Sequence, residues 1–333
     1  MWSCSVSLLP WQTTYWQRID QLIADNKLPH ALLLAGHKGV GKRAFAEYLA
    51  KRLLCNDPRG SEPCGQCKTC ELIKHKTHPD LLHLSPEEAG KVIKVDQVRD
   101  TIDRLHGTAQ QGGYRVLIVD PAEEMNISAA NALLKTLEEP GNNTLILLVV
   151  HQLGQVMPTI RSRCQRVEFA LPDSGLAVDW LAEKLQLPPE KAKGYLGLAQ
   201  GAPLTAYDWK SGGAMDLRAN FFGGLADLLR ARVSPVALAE KYQKEDLRLP
   251  LIWWQSLLGD IVRIQMAQDE QPRINLDMRK MVDSVAKQAN ASRVLKLYES
   301  VQVELNAIQR HLNPNKQLLL EKLFFDWKEL SVK

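Results

Sequence analysis

Residues 30–43 read HALLLAGHKGVGKR, an apolar run that leads into a loop with three glycines, two lysines and an arginine. The run Ala31–Ala35 predicts a buried strand, and the apolar residues of Arg43–Leu54 recur at helical spacing. Glycines between a strand and a helix let backbone amides close around phosphate oxygens, while a lysine can reach the β and γ phosphates. The segment therefore predicts a phosphate loop of the Walker A type, with these binding residues: Gly36, Gly39, Gly41 and Lys42.

The last position of this loop departs from the Walker A pattern. Arg43 stands where an active loop has serine or threonine, whose hydroxyl helps to hold Mg²⁺. A guanidinium cannot bind a cation, and its positive charge opposes one. The departure favours a loop that retains its shape without productive nucleotide binding.

A second apolar run, Val116–Val119, ends at Asp120, as a Walker B strand ends at the carboxylate that assists Mg²⁺. Pro121 follows, where active ATPases with this motif carry a glutamate that polarises the attacking water. Glu123 and Glu124 come in the wrong register for that role. The pocket is therefore predicted to lack catalysis, although Asp120 as an ordinary strand-end turn residue stays open.

Strands and helices alternate through the first half of the chain. A third apolar run, Leu145–Val150, predicts another strand, and the helical pattern of Ser128–Glu139 stops before Pro140. This alternation predicts a parallel sheet with right-handed crossovers. Beyond Leu171 only helical patterns follow, at residues 178–187, 190–199, 218–232, 250–268, 279–289, 291–312 and 314–330. We expect an α/β domain at residues 1–168, a small helical lid at 169–207 and an all-helical domain at 208–333.

Composition limits the classes of protein. The chain has 333 residues and a formal charge of +4, from 42 basic and 38 acidic residues, which is too small an excess to indicate a nucleic-acid-binding protein by itself. No apolar run approaches the ~20 residues of a membrane helix, and Met1–Pro10 lacks the pattern of a signal peptide. We expect a cytoplasmic protein that does not bind a membrane and whose thiols are reduced.

Cys55, Cys64, Cys67 and Cys70 are spaced C-x8-C-x2-C-x2-C. Four thiolates at such spacing can close a tetrahedral Zn²⁺ site, and a site with no open position is structural rather than catalytic. Zinc is the favoured occupant, while an iron–sulfur cluster or free thiols stay open. Cys4 and Cys164 are distant in sequence and are not expected to be ligands.

Further motifs follow in order: THPD at residues 77–80, NALLKTLEEP at 131–140 and TIRSRC at 159–164. With the phosphate loop and the cysteines, they resemble the bacterial clamp-loader AAA+ family of DNA polymerase III over roughly residues 10–205. The resemblance implies an AAA+ fold, related to P-loop NTPases, with a helical lid and an all-α C-terminal collar that joins subunits. The run NKQLLL at residues 315–320 is similar to the collar sequence of that family.

In this family the arginine of the Ser162–Arg163–Cys164 motif enters the ATP site of the next subunit. The resemblance therefore makes Arg163 the candidate arginine finger acting in trans, where a guanidinium stabilises charge on the transferring phosphoryl group. Arg161 is a weaker candidate for this role. A surface arginine after a strand is the alternative interpretation of Arg163.

The pattern of losses points to one class of subunit within the family. The gamma and tau motors keep a full Walker A loop, a Walker B glutamate and a lid arginine. Here Arg43 and Pro121 break the first two, Leu204 stands at the lid position, and His151 replaces a small polar sensor residue. The set resembles the delta-prime class, which keeps the zinc cysteines and the SRC arginine.

Membership of that class implies a non-hydrolysing part of the DNA polymerase III holoenzyme, a DNA-directed DNA polymerase and hence a nucleotidyltransferase. Its partners would be gamma or tau and delta in a hetero-pentameric arc, with the beta sliding clamp and primed DNA reached through the complex. Two alternatives stay open. One is an ATP-hydrolysing gamma- or tau-like motor, which Lys42 and Asp120 favour, and the other is a zinc-dependent nucleic-acid-binding protein, with Lys68, Lys74 and Lys76 beside the cysteines.

Overall fold

The computed structural model describes residues 7–88, 90–267, 273–310, 312 and 314–330. The chain forms two compact units, of which the first extends to Trp180 and includes Gly201–Thr205, and the second comprises Leu181–Gln200 and the chain from Ala206. The finer division, with a lid at residues 169–207, stays a prediction. None of the helices in the described ranges has the length and apolar character that crossing a membrane requires.

The first unit is built on a five-stranded sheet in the order β2-β3-β4-β1-β5, in which every described pairing is parallel. Its strands are β1 (Ala31–Gly36), β2 (Leu81–Leu84), β3 (Arg115–Val119), β4 (Thr144–Val150) and β5 (Gln165–Phe169). The three predicted strands and the parallel sheet are confirmed. The strands β2 and β5 form the two edges, and neither shows the continuous apolar run that marks a central strand.

Helices cover both faces of this sheet: α1 (Thr13–Ala24), α2 (Lys42–Leu54), α3 (Lys68–Lys74), α4 (Val95–His106), α5 (Ile127–Glu138) and α6 (Pro158–Arg161). Alternate residues of β1 point to opposite faces, so Leu33 joins the core beneath α4 and α5 while Leu34 joins the core with α2. The side chain of Asn126 caps α5 by accepting the N–H of Ala129. Because helices cover both faces and strands flank both sides, β4, the central strand, is buried along its whole length.

The described chain after β5 contains helices and no further strand: α7 (Ser174–Leu185), α8 (Pro189–Leu198), α9 (Pro203–Ser211), α10 (Ala214–Leu229), α11 (Pro235–Tyr242), α12 (Arg248–Met266), α13 (Arg279–Gln288), α14 (Ala291–Gln309) and α15 (Lys316–Glu329). The second unit packs α10 to α15 around aromatic side chains, where Trp254 lies against Phe324 and Trp327. The predicted helical C-terminal domain is confirmed.

Some predicted helix ends differ from the observed ones. The last helix begins at Lys316 rather than at Pro314, because the side chain of Asn315 accepts the N–H groups of Gln317 and Leu318 and so caps it. The predicted end of α12 at Gln268 and residue Cys4 lie outside the described residues. The short helix α11 was not predicted.

Candidate functional site

The predicted phosphate loop connects β1 to α2 and depends on glycine for its conformation. Gly39 and Gly41 have φ angles of +84° and +95°, in the left-handed region that L side chains rarely adopt. A Cβ atom on Gly39 would lie 2.0 Å from Oγ1 of Thr205, and one on Gly41 would lie 2.3 Å from Cδ1 of Leu9. The loop is therefore strained for any other residue and closely covered on two sides.

The backbone carbonyl groups of this loop accept hydrogen bonds from other parts of the chain. Leaving a backbone carbonyl without a partner in a covered site costs free energy, so each acceptor needs a donor. The donors come from the loop, from the segment before α1 and from the start of α9. They are Lys42 Nζ to the carbonyls of Gly36 and His37 (both 2.6 Å), Thr205 Oγ1 to Lys38 (3.4 Å), Leu204 N to Gly39 (3.0 Å), Trp11 Nε1 to Val40 (2.9 Å) and Gln12 Nε2 to Gly41 (2.8 Å).

Lys42 is turned back onto its own loop. Only 2% of the residue is exposed, and its ammonium group donates to the carbonyls of Gly36 and His37. Burial lowers the pKa of Lys42 to about 8, although the carboxylates of Glu123 and Asp120 act in the opposite direction. The ammonium group of Lys42 is therefore held within the loop by two of the loop's own carbonyl groups.

Arg43 places a positive charge beside the Walker B carboxylate. Its Nη1 lies 3.4 Å from Oδ2 of Asp120, and its Nε donates to Glu47 at 2.9 Å. Burial raises the pKa of Asp120, while Arg43 and Lys42 oppose that rise. A guanidinium thus neutralises the carboxylate that would otherwise face Mg²⁺, which works against a divalent cation at this position.

Glu123 and His151 complete the pocket. Oε1 of Glu123 accepts the N–H groups of His151 (2.8 Å) and Gln152 (3.1 Å), so this carboxylate caps the end of β4. Burial raises the pKa of Glu123. Burial lowers the pKa of His151 to about 3, and the positive charges of Lys42 and Lys38 act in the same direction. The imidazole is therefore neutral at pH 7, although its Nε2 lies 4.0 Å from Oδ1 of Asp120.

The residues that donate to the loop carbonyls were not found from the sequence. Leu204 was placed at the lid position from the resemblance, but the bond of its N–H to Gly39 was not foreseen, nor were the bonds from Trp11, Gln12 and Thr205. Gln12 is fully buried, and a buried glutamine needs partners. Its Oε1 accepts the N–H of Leu9 nearby, but the Gly41 carbonyl to which its Nε2 donates lies 29 positions along the chain, so the contact with the loop has no local signal.

The four cysteines come together at the start of α3, with their sulfur atoms all within 4.8 Å of one another. Sγ of Cys55 lies 3.9 Å from that of Cys67, and Sγ of Cys64 lies 4.0 Å from that of Cys70. Ligands ~2.3 Å from a tetrahedral Zn²⁺ are about 3.8 Å apart, so this donor set fits a zinc ion. Cys164 lies outside the cluster.

Hydrogen bonds favour the thiolate form of Cys64 and Cys67, whereas burial raises the pKa of Cys55 and of Cys70. Backbone N–H groups of Gln66 and Cys67 point at Sγ of Cys64, and they lower its pKa. Burial raises the pKa of Cys67, but the hydroxyl of Thr69, 3.0 Å from its sulfur, and backbone N–H groups outweigh it and bring that pKa to about 5. The thiolate is the form that binds a metal ion.

Arg163 lies apart from the phosphate loop, between α6 and β5, and is partly exposed. Its Nε donates to Oε1 of Glu138 at 2.7 Å, and its Nη2 lies 2.5 Å from the same oxygen. Its Nη1 donates to the carbonyl of Thr159 at 2.9 Å. Arg161 is exposed and lines a small cavity of about 370 Å³ with Ser162 and Arg166.

A parallel sheet with a phosphate loop, followed by a helical C-terminal domain, defines an AAA+ protein, here one whose loop carbonyls accept hydrogen bonds from other groups of the chain. The model of the family described as "DNA polymerase III, delta subunit" matches residues 11–173, and "DNA polymerase III, delta subunit, C terminal" matches residues 213–329.

Two relatives named DNA polymerase III subunit delta' align along nearly the whole chain. The protein of Pseudomonas aeruginosa is 39% identical over 97% of this chain and 98% of its own length, and that of Yersinia pestis is 32% identical over 96% and 95%. A gamma subunit-related protein of Thermotoga maritima is 19% identical at a TM-score of 0.43, covering 95% of this chain and 99% of its own, a likeness too weak to add to the assignment. The chain belongs to the delta' family of DNA polymerase III clamp-loader subunits.

Proposed function

We propose that this chain acts in the clamp loader as a subunit that does not hydrolyse ATP and that supplies Arg163 to the ATP site of a neighbouring gamma or tau subunit. In this way it would help delta and the motor subunits to load the beta sliding clamp on primed DNA. The helical domain at residues 208–333 would serve as the collar that joins the subunits. The observation that carries the proposal is the position of Arg163 relative to the chain's own phosphate loop.

The parallel pairing of β1 with β5 fixes that position. Gly36, where the phosphate loop begins, pairs with Phe169 at the end of β5, whereas Leu32 pairs with Gln165 at its start. Parallel strands rise ~3.3 Å per residue, so these two levels of the sheet are about 13 Å apart. Arg163 precedes the start of β5 and therefore lies at the end of the parallel strands opposite the loop. A guanidinium at that distance does not serve the chain's own loop, which supports the proposal that it serves another subunit's nucleotide.

The chain's own pocket supports the same division of labour. Lys42 is bonded to its own loop, and Arg43 neutralises Asp120 where a magnesium ion would be needed. These contacts give no reason to expect productive ATP binding, and they work against the alternative of a motor subunit. An arginine supplied in trans is worth about 10³–10⁵ in rate in other phosphoryl-transfer systems. A composite site thus needs only one of its two proteins to hold the nucleotide.

We further propose that the four cysteines hold a structural Zn²⁺ ion. Their sulfur separations fit a closed tetrahedron, which leaves no position for a substrate or a water molecule. The residues that would hold the ion are Cys55, Cys64, Cys67 and Cys70. The ion would fix the loop between α2 and α3, a stretch with little apolar core of its own.

The test is the DNA-stimulated ATPase of the assembled loader that contains the Arg163→Ala chain. We expect kcat to fall by at least about 10-fold, because the transition state loses a positive charge. Arg166→Ala is the matched control, since Arg166 is an exposed arginine close by that pairs with Glu168 at 2.8 Å. Arg161→Ala, in parallel, measures the weaker candidate.

Unchanged hydrolysis by the Arg163→Ala loader, with assembly intact by gel filtration, would reject the finger. The free chain gives a second measurement, in which calorimetry with Mg²⁺ and ATP should detect no specific binding. ATP turnover by the free chain that disappears on Lys42→Ala would instead favour the motor alternative.

A further inference from the structure

We propose that Glu138 is the positioning residue for Arg163, holding one edge of its guanidinium so that the other edge faces a phosphate group. This inference rests on the proposed finger role of Arg163. Glu138 is the last residue of α5, and it is 25 positions before Arg163 in the sequence. The tertiary structure, rather than a local motif, brings the two residues together.

The contact has the geometry of a side-on clamp. Nε and Nη2 of Arg163 both approach Oε1 of Glu138, at 2.7 Å and 2.5 Å. From the other side, Nη1 donates to the carbonyl of Thr159 at 2.9 Å, one turn earlier in the same segment. A planar guanidinium held at two points has a defined plane and direction, which a long flexible side chain alone does not have.

A count of donors shows what remains for a ligand. Arginine has five N–H groups. Glu138 takes one on Nε and one on Nη2, and the carbonyl of Thr159 takes one on Nη1. One N–H group of Nη2 has no partner among the described residues, and the second N–H of Nη1 makes only a long 3.4 Å contact to Oγ of Ser162. The weakly held N–H group of Nη1 and the remaining N–H group of Nη2 are the donors available to the oxygens of a phosphate.

The location of Glu138 argues that its carboxylate is there for a reason other than helix stability. The C-terminus of a helix carries a partial negative charge, so an acidic residue at the last position is unfavourable for the helix. Side chains that break such a local rule without gain to the fold are concentrated at functional sites. Here the carboxylate has a partner, Arg163, and the ion pair is partly exposed, with 35% of the arginine and 49% of the glutamate side chain accessible.

An exposed ion pair of this kind contributes little to stability. Its effect is therefore expected on the orientation of the finger and not on folding. The ion pair does not use the remaining N–H groups of Nη1 and Nη2. Arg163 can therefore donate to a phosphate while it stays bound to Glu138. Loss of Glu138 should lower the rate of the chemical step in the neighbouring subunit with little effect on ATP affinity.

The experiment uses the assembled loader with Glu138→Ala, Glu138→Gln and the matched control Glu139→Ala, whose exposed side chain is adjacent in sequence. We expect Glu138→Ala to lower kcat of the DNA-stimulated ATPase by about 10-fold, with KM for ATP changed less than about twofold. Glu138→Gln keeps an oxygen that accepts from Nε and Nη2, so kcat should recover to within about threefold of the parent. Glu139→Ala should match the parent.

The double variant Arg163→Ala/Glu138→Ala separates the possible failures. If Glu138 acts through Arg163, the double variant has the same kcat as Arg163→Ala alone. If Arg163→Ala lowers kcat but Glu138→Ala leaves it unchanged or raises it, the positioning role is refuted and the finger stands. If Arg163→Ala itself has no effect, the proposed function fails first. Equal losses with Glu139→Ala would indicate a general effect on α5 and would also overturn the inference.

Discussion

Replacing His151 by asparagine should make the protein less sensitive to acid. His151 follows β4 and faces Asp120, and burial together with the charges of Lys42 and Lys38 lowers its pKa to about 3. Asparagine has no titrating group, and the N–H of residue 151 remains to bind Glu123. The substitution therefore removes one proton-binding site from the unfolded chain while it keeps the backbone contact of the folded one.

The direction of the effect follows from which state binds the proton. The pKa of histidine in an unfolded chain is ~6.5, so below that pH the unfolded state takes up a proton that the folded state takes up only near pH 3. Stability contributed by the neutral imidazole is thus fully present above pH 6.5 and is lost as the pH falls from 6.5 towards 3. For an unfolded pKa of ~6.5 and a folded pKa of about 3, the loss between pH 8 and pH 5 is about 2 kcal/mol. Because 23% of the side chain is exposed, we expect about 1–2 kcal/mol.

Two measurements test this expectation. Urea unfolding of the parent and His151→Asn proteins at pH 8, 7, 6 and 5 gives the difference in the free energy of unfolding, which should shift by about 1–2 kcal/mol in favour of the variant over that range. NMR of histidine labelled at Cε1 reports the titration of His151 directly, with the variant identifying its resonance. A His151 signal that titrates above pH 6, or parallel pH profiles for the two proteins, would refute the burial of a neutral imidazole in this pocket.

The phosphate loop and the cysteine module give two more expectations. Gly39→Ala should lower the free energy of unfolding by about 2–4 kcal/mol, because it adds left-handed strain and breaks the contacts with Leu204 and Thr205. Gly113→Ala has a similar φ of +80° but open space around it, so chemical denaturation should show a smaller loss, and equal losses would contradict a closed loop. Cys67→Ser should lower zinc from about one ion per chain towards none and reduce the melting temperature, as should a chelator, by elemental analysis and calorimetry. Cys164→Ser is the control, and full zinc content in the Cys67→Ser protein would reject this ligand set.

Much of the fold follows from local pattern. Ala31–Ala35, Val116–Val119 and Leu145–Val150 are continuous apolar runs, so their burial in a central parallel sheet could be predicted. The edge strand β5 was not predicted, because its sequence, QRVEF, is largely exposed and has no continuous apolar run. The strand β2 was not predicted either, because it has only four residues and one of them is histidine.

The candidate sites also contain parts that could be predicted from the sequence and parts that could not. The phosphate loop and the cysteine cluster were recognisable because their groups are close in sequence, where spacing alone restricts the geometry. The sequence also revealed the loss of the hydroxyl at Arg43 and of the carboxylate at Pro121. The ion pair of Arg43 with Asp120 could not be predicted from the sequence, because the two residues lie on different elements.

The sequence by itself determined the parallel α/β core, the altered phosphate loop and the cysteine cluster, because each depends on the chemistry of neighbouring residues. Only the tertiary structure decided that Thr205 and Gln12 donate to carbonyls of the loop, that Glu138 holds Arg163, and that Arg163 lies at the opposite end of the strands from the loop. The physical reason is that hydrogen bonds and ion pairs act over about 3 Å in space, whatever the separation along the chain. Residues 25 to 167 positions apart become partners only when the strands and helices between them have packed.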